Sequence, residues 1–297
     1  MDHIKRDLIP LLNKSKQERI SFILNDLWIG YPRAHEILNK LNFLLRHPRI
    51  NRMPSMLLVG ETNNGKTVLL KKFINENKPF LDEDEERLTA PVLYIQAPPA
   101  PDEKRFYNSI LDATFTPYRL NDKLDKRHQQ VIKVLKQLDV KVLIIDEIQH
   151  ILGGTISKRV SFLNVIKYMS NELRISIIGA GIHEAFNAIS TDPQLINRFD
   201  QQVLPRWSYD SDFLRLLASY ETLLPLRKSS HLVKDSTLNK KIFNLSEGII
   251  GEVSSIIKKA ATYAIENDIE CINNEVIKLI KFAPPSSRRH NSAYINS

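Results

Sequence analysis

The chain has 297 residues, 42% of them apolar and 26% charged, and its 42 basic and 34 acidic side chains leave a net charge of +8. That apolar share suffices for the core of one large or two modest domains and excludes a disordered chain, while the basic surplus favours a polyanionic partner such as nucleic acid without naming one. A single cysteine, Cys271, excludes an internal disulfide, and no Cys-His cluster has metal-ligand spacing, so a reducing cytosol and a core thiol are expected.

Charges at Asp2, Lys5, Arg6 and Asp7 interrupt the N-terminus before any apolar stretch of signal-peptide length. No apolar run approaches the roughly 20 residues that span a bilayer, so neither export nor membrane insertion is expected. Residues 3 to 26 read as one or two amphipathic helices, with Ile4, Leu8, Leu11, Leu12, Ile20, Ile23, Leu24 and Leu27 as the apolar stripe. After Trp28-Ile-Gly-Tyr-Pro-Arg33 a further helix runs through Leu38, Leu41, Leu44 and Leu45 and ends at His47-Pro48.

The period then changes. Ser55-Met-Leu-Leu-Val59, Val92-Leu-Tyr-Ile95, Val140-Lys-Val-Leu-Ile-Ile145, Ile175-Ser-Ile-Ile178 and Gln202-Val-Leu204 are short apolar runs separated by helical stretches. Such alternation predicts an α/β core with a mostly parallel five-stranded sheet flanked by helices. Between the second and third runs, Asp122 is placed to cap a helix whose inner face is Leu124, His128, Val131, Leu135 and Leu138, leaving Lys123, Lys126, Arg127 and Lys133 outward. A helix over roughly 157 to 173 follows Gly153-Gly154 and buries Phe162, Val165, Ile166 and Met169. Beyond Trp207 only helical patterning occurs, which predicts a small all-α domain. The expected division is an N-terminal helical segment (1–26), an α/β core (27–207), a helical lid (208–282) and a flexible basic tail from Ala283 through Arg288-Arg289 (283–297). The acidic run Asp82-Glu-Asp-Glu-Glu86 reads as a solvated loop.

Gly60-Glu-Thr-Asn-Asn-Gly-Lys-Thr67 matches the phosphate-binding pattern GxxxxGK[ST] and lies between a predicted strand and a predicted helix. Glycine at 60 and 65 permits the turns that aim successive main-chain N–H groups at a β-phosphate, so Gly60, Glu61, Thr62, Asn63, Asn64, Gly65, Lys66, Thr67 and Val68 form the expected cradle. Lys66 adds a cation for the β and γ oxygens of ATP, and the Thr67 hydroxyl a ligand for Mg²⁺. Val142-Leu-Ile-Ile-Asp-Glu147 is an apolar strand ending in two acids. Asp146 suits the Mg²⁺ shell and Glu147 suits orienting and polarising the attacking water, although either acid can also cap a helix. Charge at the γ-phosphate calls for a further cation. Arg198, in Leu195-Ile-Asn-Arg-Phe199, is either an arginine finger reaching a neighbouring subunit's site or one half of an interdomain salt bridge; Arg206 and Arg174 stand behind it.

The order of the P-loop, Asp146-Glu147 and Arg198 resembles that of AAA+ ATPases, with the region from 208 as lid. More specifically, Trp28-Ile-Gly-Tyr-Pro-Arg-Ala34, Arg52-Met-Pro54 and Gly60-Glu-Thr-Asn-Asn-Gly-Lys-Thr67 together resemble the TniB/TnsC ATPases of Tn5053-like elements and CRISPR-associated transposons, over about residues 15 to 265. By that resemblance Trp28, Ile29 and Tyr31 line an adenine pocket, the other reading being an aromatic cluster under the lid. The resemblance also implies a nucleoid-associated bacterial protein that assembles with ATP into rings or filaments on duplex DNA and recruits a DDE-type transposase and a TniQ-like adaptor. The family's segment after the second strand faces DNA. Here Lys104, Arg105, Thr116 and Arg119 are candidates for phosphate contact that is largely insensitive to base sequence, or else members of a solvated helix face. Two departures stand out. Ile178-Gly-Ala-Gly181 ends the fourth strand without the usual polar sensor side chain, leaving His183 or Glu184 as substitutes. Ser246-Glu-Gly-Ile-Ile-Gly-Glu252 resembles the sensor-2 helix start, but Ser254 or its neighbours stand where an arginine is common. Slow or partner-stimulated hydrolysis is therefore expected of an ATP-dependent regulator of transposition. The alternatives are a helicase-loader or replication-initiator ATPase and a nucleotide-gated scaffold with little turnover.

Overall fold

The computed structural model describes residues 3–25, 27–84, 86–190 and 193–288. The chain folds as two compact units, a sheet unit of Pro32–Thr62 with Lys66–Leu204, and a helical unit of Met1–Tyr31 with Asn63–Gly65 and Pro205–Ser297.

In the sheet unit the strands are β1 (Ser55–Gly60), β2 (Phe80–Asp82), β3 (Arg87–Thr89), β4 (Val92–Gln96), β5 (Val142–Asp146), β6 (Ser176–Gly181) and β7 (Phe199–Leu204). The five apolar runs become one sheet of order β4-β5-β6-β1-β7, and every neighbouring pair is parallel. Parallel pairing needs helical crossovers. They are supplied by Lys66–Glu76 after β1, Glu103–Ala113 and Leu124–Gln137 after β4, Ile156–Leu173 after β5 and Glu184–Ser190 after β6. Alternate strand residues Leu57, Val59, Leu93, Ile95, Leu143, Ile145 and Ile177 enter one core with Phe106, Ile110, Val131 and Phe162. Their neighbours Met56, Leu58, Ile144 and Ile178 are buried as well, so both faces of the sheet are covered and the strands read as continuous apolar runs. The β7 run is the weakest in sequence because Asp200, Gln201 and Val203 of that strand are exposed and polar residues interrupt its apolar ones. Since all five strands point the same way, Gly60, Gln96, Asp146, Gly181 and Leu204 share one edge of the sheet, where open α/β sheets hold their ligands.

Two local expectations need correction. Arg127, read as outward-facing, is fully buried: its guanidinium donates to Asn108 Oδ1 (2.6 Å) and Arg119 O (2.6 Å) and lies 4.9 Å from the centre of the Tyr118 ring. A helical period cannot tell an exposed arginine from one that ties down a loop. Asp122 is not the cap of the helix Leu124–Gln137; it accepts from Lys126 Nζ (2.7 Å) and Arg119 N (3.3 Å) instead. The acidic run read as a solvated loop falls between the antiparallel strands β2 and β3, with Glu83, Asp84 and Glu86 exposed; these three-residue strands are too short to register as a pattern and leave Phe80, Leu81 and Leu88 exposed.

The helical unit begins with a 3-10 helix (Arg6–Asn13) and the helix Lys16–Leu24, separated where Ser15 and Glu18 form a capping box. The helices Ser211–Leu223, Ser236–Ser246 and Asn274–Leu279 start on side-chain caps from Asp210, Asp235 and Asn273. With Ile250–Glu266 they bury Ile20, Ile23, Phe213, Leu217, Val253, Ile257 and their neighbours in a second core, whereas Leu24 is exposed. The start of the expected mobile tail is tied down: Ser286 N donates to Glu247 Oε1 (3.0 Å), and Arg288 pairs with Glu252 and lies 5.3 Å from the Phe282 ring centre. Arg289 and the rest of the tail lie outside the described residues.

Arg19 and Glu270 form a buried ion pair in this unit. Arg19 donates from Nη1 to Glu270 Oε1 (2.9 Å), from Nη2 to Oε2, and from Nε to Pro225 O (2.9 Å), while Arg227 N also reaches Oε2 (3.2 Å). Burial pushes the Glu270 carboxyl up, but the bonds and charges of Arg19 and Arg227 outweigh it and hold the group below its ordinary 4.5. A depressed carboxyl contributes stability above that value and loses it as pH falls through the folded pKa. Glu270→Gln should therefore destabilise the protein at pH 7 by about 3 kcal/mol in urea unfolding, and the gap from wild type should close on acidification below 4.5. A gap independent of pH would show that the pair does not act as a charge pair.

Candidate nucleotide site

The strand β1 ends at Gly60 and the next helix starts at Lys66, so the motif lies on the strand-to-helix bend. Gly65 has φ +84°, the left-handed region that a side chain disfavours. Lys66 is 6% exposed, and its ammonium donates to Gly60 O (2.7 Å) and Glu61 O (2.9 Å). Burial lowers its pKa, and the charges of Glu147, Asp146 and Glu61 pull the other way. An ammonium held by two neutral carbonyls can exchange them for anionic oxygens with a gain in charge-assisted bonding. Glu61 and Val68 are half-buried and Thr62 is exposed.

Within the helical unit, the loop apex meets the start of the helix Ile250–Glu266. Gly251 N donates to Asn63 O (3.0 Å), Ile250 N to Asn64 Oδ1 (3.5 Å), and Asn63 Nδ2 to Glu252 Oε1 (3.0 Å). Asn64 is 2% exposed and also donates to Pro205 O (3.0 Å). Glu252 thus links Asn63 to Arg288, two partners that are 189 and 36 residues away in the chain and that no local pattern pairs.

At the end of β5, Asp146 is 3% exposed. Its Oδ2 accepts from Thr67 Oγ1 (3.3 Å) and Tyr94 OH (2.7 Å), and its Oδ1 from Glu147 N (2.9 Å). The two residues expected to share a metal therefore converge. Their hydroxyl and carboxylate oxygens are the hard donors that Mg²⁺ takes together with phosphate and water. Among the described residues no three His, Cys, Asp or Glu side chains gather as a metal cage. Tyr94 was missed in sequence because it reads as one more large residue in an apolar strand; only the pairing of β4 with β5 carries it to Asp146. Burial raises its pKa first, and the bond to Asp146 and the Asp146 and Glu147 charges raise it further, so it stays a donor.

Glu147 lies in the left-handed region (φ +55°, ψ 38°) at the head of a 3-10 helix, Ile148–Leu152, and its carboxylate accepts from Gln149 Nε2. Gln149 was not singled out in sequence. His183 and Glu184, the suggested substitutes at the end of β6, are both exposed.

The remaining candidates lie as follows. Arg198, just before β7, donates to Asn171 Oδ1 (2.8 Å) in the sheet unit, and its carbonyl accepts from Ser55 N (3.0 Å). Arg206 lies 3.8 Å from Glu247, and Arg174 closes its helix in a left-handed cap. In the helical unit Ile29 is 8% exposed within the core, Trp28 is half-buried, and Tyr31 packs edge-on against Trp207 at 4.9 Å. Lys104 and Arg105 are exposed on the first turn of Glu103–Ala113, with Arg105 3.5 Å from Asp102. Arg119 is exposed, whereas Thr116 is half-buried and shares a 2.9 Å hydrogen bond with Thr114.

Solved structures of similar fold include the ORC2 protein of Aeropyrum pernix in ADPNP-ADP complexes, with TM-score 0.64 and 17% identity over 87% of this chain and 70% of that one. The ORC1 protein of the same organism in complex with DNA aligns at TM-score 0.57 and 16% identity, over 90% and 70% of the two chains. A Walker-type ATPase of Pyrococcus abyssi aligns at 0.53 and 17%, over 83% and 72%. At such identity these likenesses describe the fold. No curated protein matches the chain. A family model described as "Bacterial TniB protein" matches residues 19–209, more than half of the sequence. The chain thus belongs to the bacterial TniB family and has the P-loop α/β fold of an AAA+ ATPase.

Proposed function

We propose that this protein is an ATP-dependent regulator of transposition that binds Mg²⁺ and ATP at its P-loop, assembles on duplex DNA as a ring or filament, and recruits a DDE-type transposase with a TniQ-like adaptor. The observation that carries the nucleotide reading is the convergence of Thr67 and Asp146 at 3.3 Å beside the buried Lys66. Membership of the TniB family supports the rest.

On this reading the main-chain N–H groups of the bend hold the β-phosphate, and Lys66 leaves Gly60 O and Glu61 O for the β and γ oxygens. Thr67 and Asp146 hold Mg²⁺, with Tyr94 fixing the carboxylate from the adjacent strand. The metal, when bound, draws negative charge from the transferring phosphoryl group. Glu147 orients and polarises the attacking water, and Arg198 of a neighbouring subunit adds positive charge. Trp28, Ile29 and Tyr31 take the adenine. Hydrolysis is slow or partner-stimulated, as expected of a β6 that ends Gly-Ala-Gly.

Lys104, Arg105, Thr116 and Arg119 contact phosphates, which gives position on the duplex without reading bases. A net charge of +8 is consistent with this, and the ORC1 protein of similar fold was solved with DNA. The protein works in the bacterial cytosol, on the nucleoid; no described helix is long and apolar enough to cross a membrane. The likeness to ORC proteins keeps one other reading in view, a helicase loader or replication initiator.

Lys66→Ala should abolish nucleotide-dependent assembly in light scattering or electron microscopy; oligomers that still respond to ATP would refute the site assignment. Arg198→Ala should leave nucleotide affinity intact and cut turnover by at least tenfold, an effect of about 1.4 kcal/mol, and unchanged phosphate release would remove it from the finger role. Duplex affinity measured with ATP should fall steeply with salt, and Arg119→Ala should flatten the log–log slope by about one. Affinity independent of salt would exclude phosphate-led contact. Cross-linking in a native host should capture a transposase; capture of a replicative helicase instead would favour the initiator reading.

A further inference from the structure

The turn after β5 and the end of β6 form one arrangement that the proposed mechanism has not used. The Gln149 carboxamide bridges them: its Nε2 donates to the Glu147 carboxylate, and its Oε1 accepts from Ile182 N at 3.3 Å. The backbone N–H can only donate, so it turns the amide oxygen towards β6 and leaves the NH₂ facing Glu147. Space for the amide exists because residue 181 is glycine. A Cβ there would overlap Gln149 Oε1 and come within 2.9 Å of Ala185 Cβ. At Gly179 a Cβ would come within 2.7 Å of Ile148 Cδ1, so the same turn is seated at two consecutive inward positions of β6. The Gly-Ala-Gly end of β6, read in sequence as the loss of a polar side chain, is the seat of an amide that arrives from the neighbouring strand. Of the acidic charges that oppose the effect of burial on the Lys66 ammonium, that of Glu147 counts most.

We propose that Gln149 is the positioning residue for Glu147: its carboxamide, locked by Ile182 N–H, holds the Glu147 carboxylate in the orientation from which it acts on the attacking water, in the role left open by the glycine-rich end of β6. This rests on Glu147 having the water-orienting role proposed above, and it assigns to Gln149 no contact with nucleotide.

The test compares full-length wild type, Gln149→Ala, Gln149→Glu, Glu147→Gln and the double variant Glu147→Gln/Gln149→Ala, each with Mg·ATP and duplex DNA, in single-turnover hydrolysis and in fluorescent-nucleotide binding. Loss of a hydrogen bond to a charged group should lower the hydrolysis rate of Gln149→Ala about 10- to 100-fold, with nucleotide affinity within about twofold of wild type. Gln149→Glu keeps the length and the acceptor for Ile182 N–H but presents a carboxylate to Glu147, so it should be as slow as Gln149→Ala. A residue that merely filled space would be rescued by it. In the Glu147→Gln background, removing Gln149 should cost little more, since the two act as one unit. Wild-type or faster turnover in Gln149→Ala, or full turnover in Gln149→Glu, with Glu147→Gln inactive, would overturn the inference and leave the role of Glu147 standing. Full turnover in Glu147→Gln would overturn that role, and the inference with it.

Discussion

The positive charge on Lys66 sets the terms for the whole edge of the sheet. Taking an ammonium out of water is costly unless it is hydrogen-bonded and has opposite charge nearby. Here the Gly60 and Glu61 carbonyls supply the bonds, and Glu147, Asp146 and Glu61 supply the charge. Each of those groups has to be brought to the same edge, and the parallel sheet does so. With β5 two strands away from β1 and all strands pointing one way, the acids at the end of β5 arrive level with the bend that follows β1.

That placement is secured by side chains with no part in the motifs. Tyr94 donates to Asp146 from the strand on one side of β5, and Gln149 links Glu147 to the first residue after the strand on the other. Both acids are thus held by neighbours across the sheet rather than by their own strand alone. A carboxylate bound in this way has fewer orientations to lose when a metal or a water comes to it, the sense in which a site is preorganised. The glycines of β6 belong to the same arrangement, since a Cβ at 179 would run into the Ile148 side chain and one at 181 into the Gln149 amide and Ala185.

In the helical unit the corresponding constraint is Glu252. It is 7% exposed, and its two oxygens take Asn63 Nδ2 and the Arg288 guanidinium. A buried carboxylate at the first turn of a helix also meets the positive end of the helix dipole. Asn63 belongs to the phosphate motif and Arg288 to the last described turn of the chain, so the apex of the loop and the C-terminal segment bond to a common acid. Burial leaves that acid little freedom.

How much of this was legible in one dimension follows from the range of each interaction. Periodicity and caps are local, so the five apolar runs, the strand-to-helix position of Gly60–Thr67 and the paired acids Asp146-Glu147 could be read directly, and with them an α/β core and a nucleotide site. Arg127 reads the same whether a helix shows it to water or buries it against Tyr118 and Asn108, and the strands β2 and β3 are too short for any period to register. Residues tied by pairing across the sheet, Tyr94 with Asp146 and Gln149 with Ile182, carry no local signal, because their partners are 52 and 33 positions away. Local chemistry therefore singled out which groups are candidates to meet a phosphate. Which neighbours hold those groups in place was decided only when the strands came together, since hydrogen bonds act over about 3 Å of space whatever the separation along the chain.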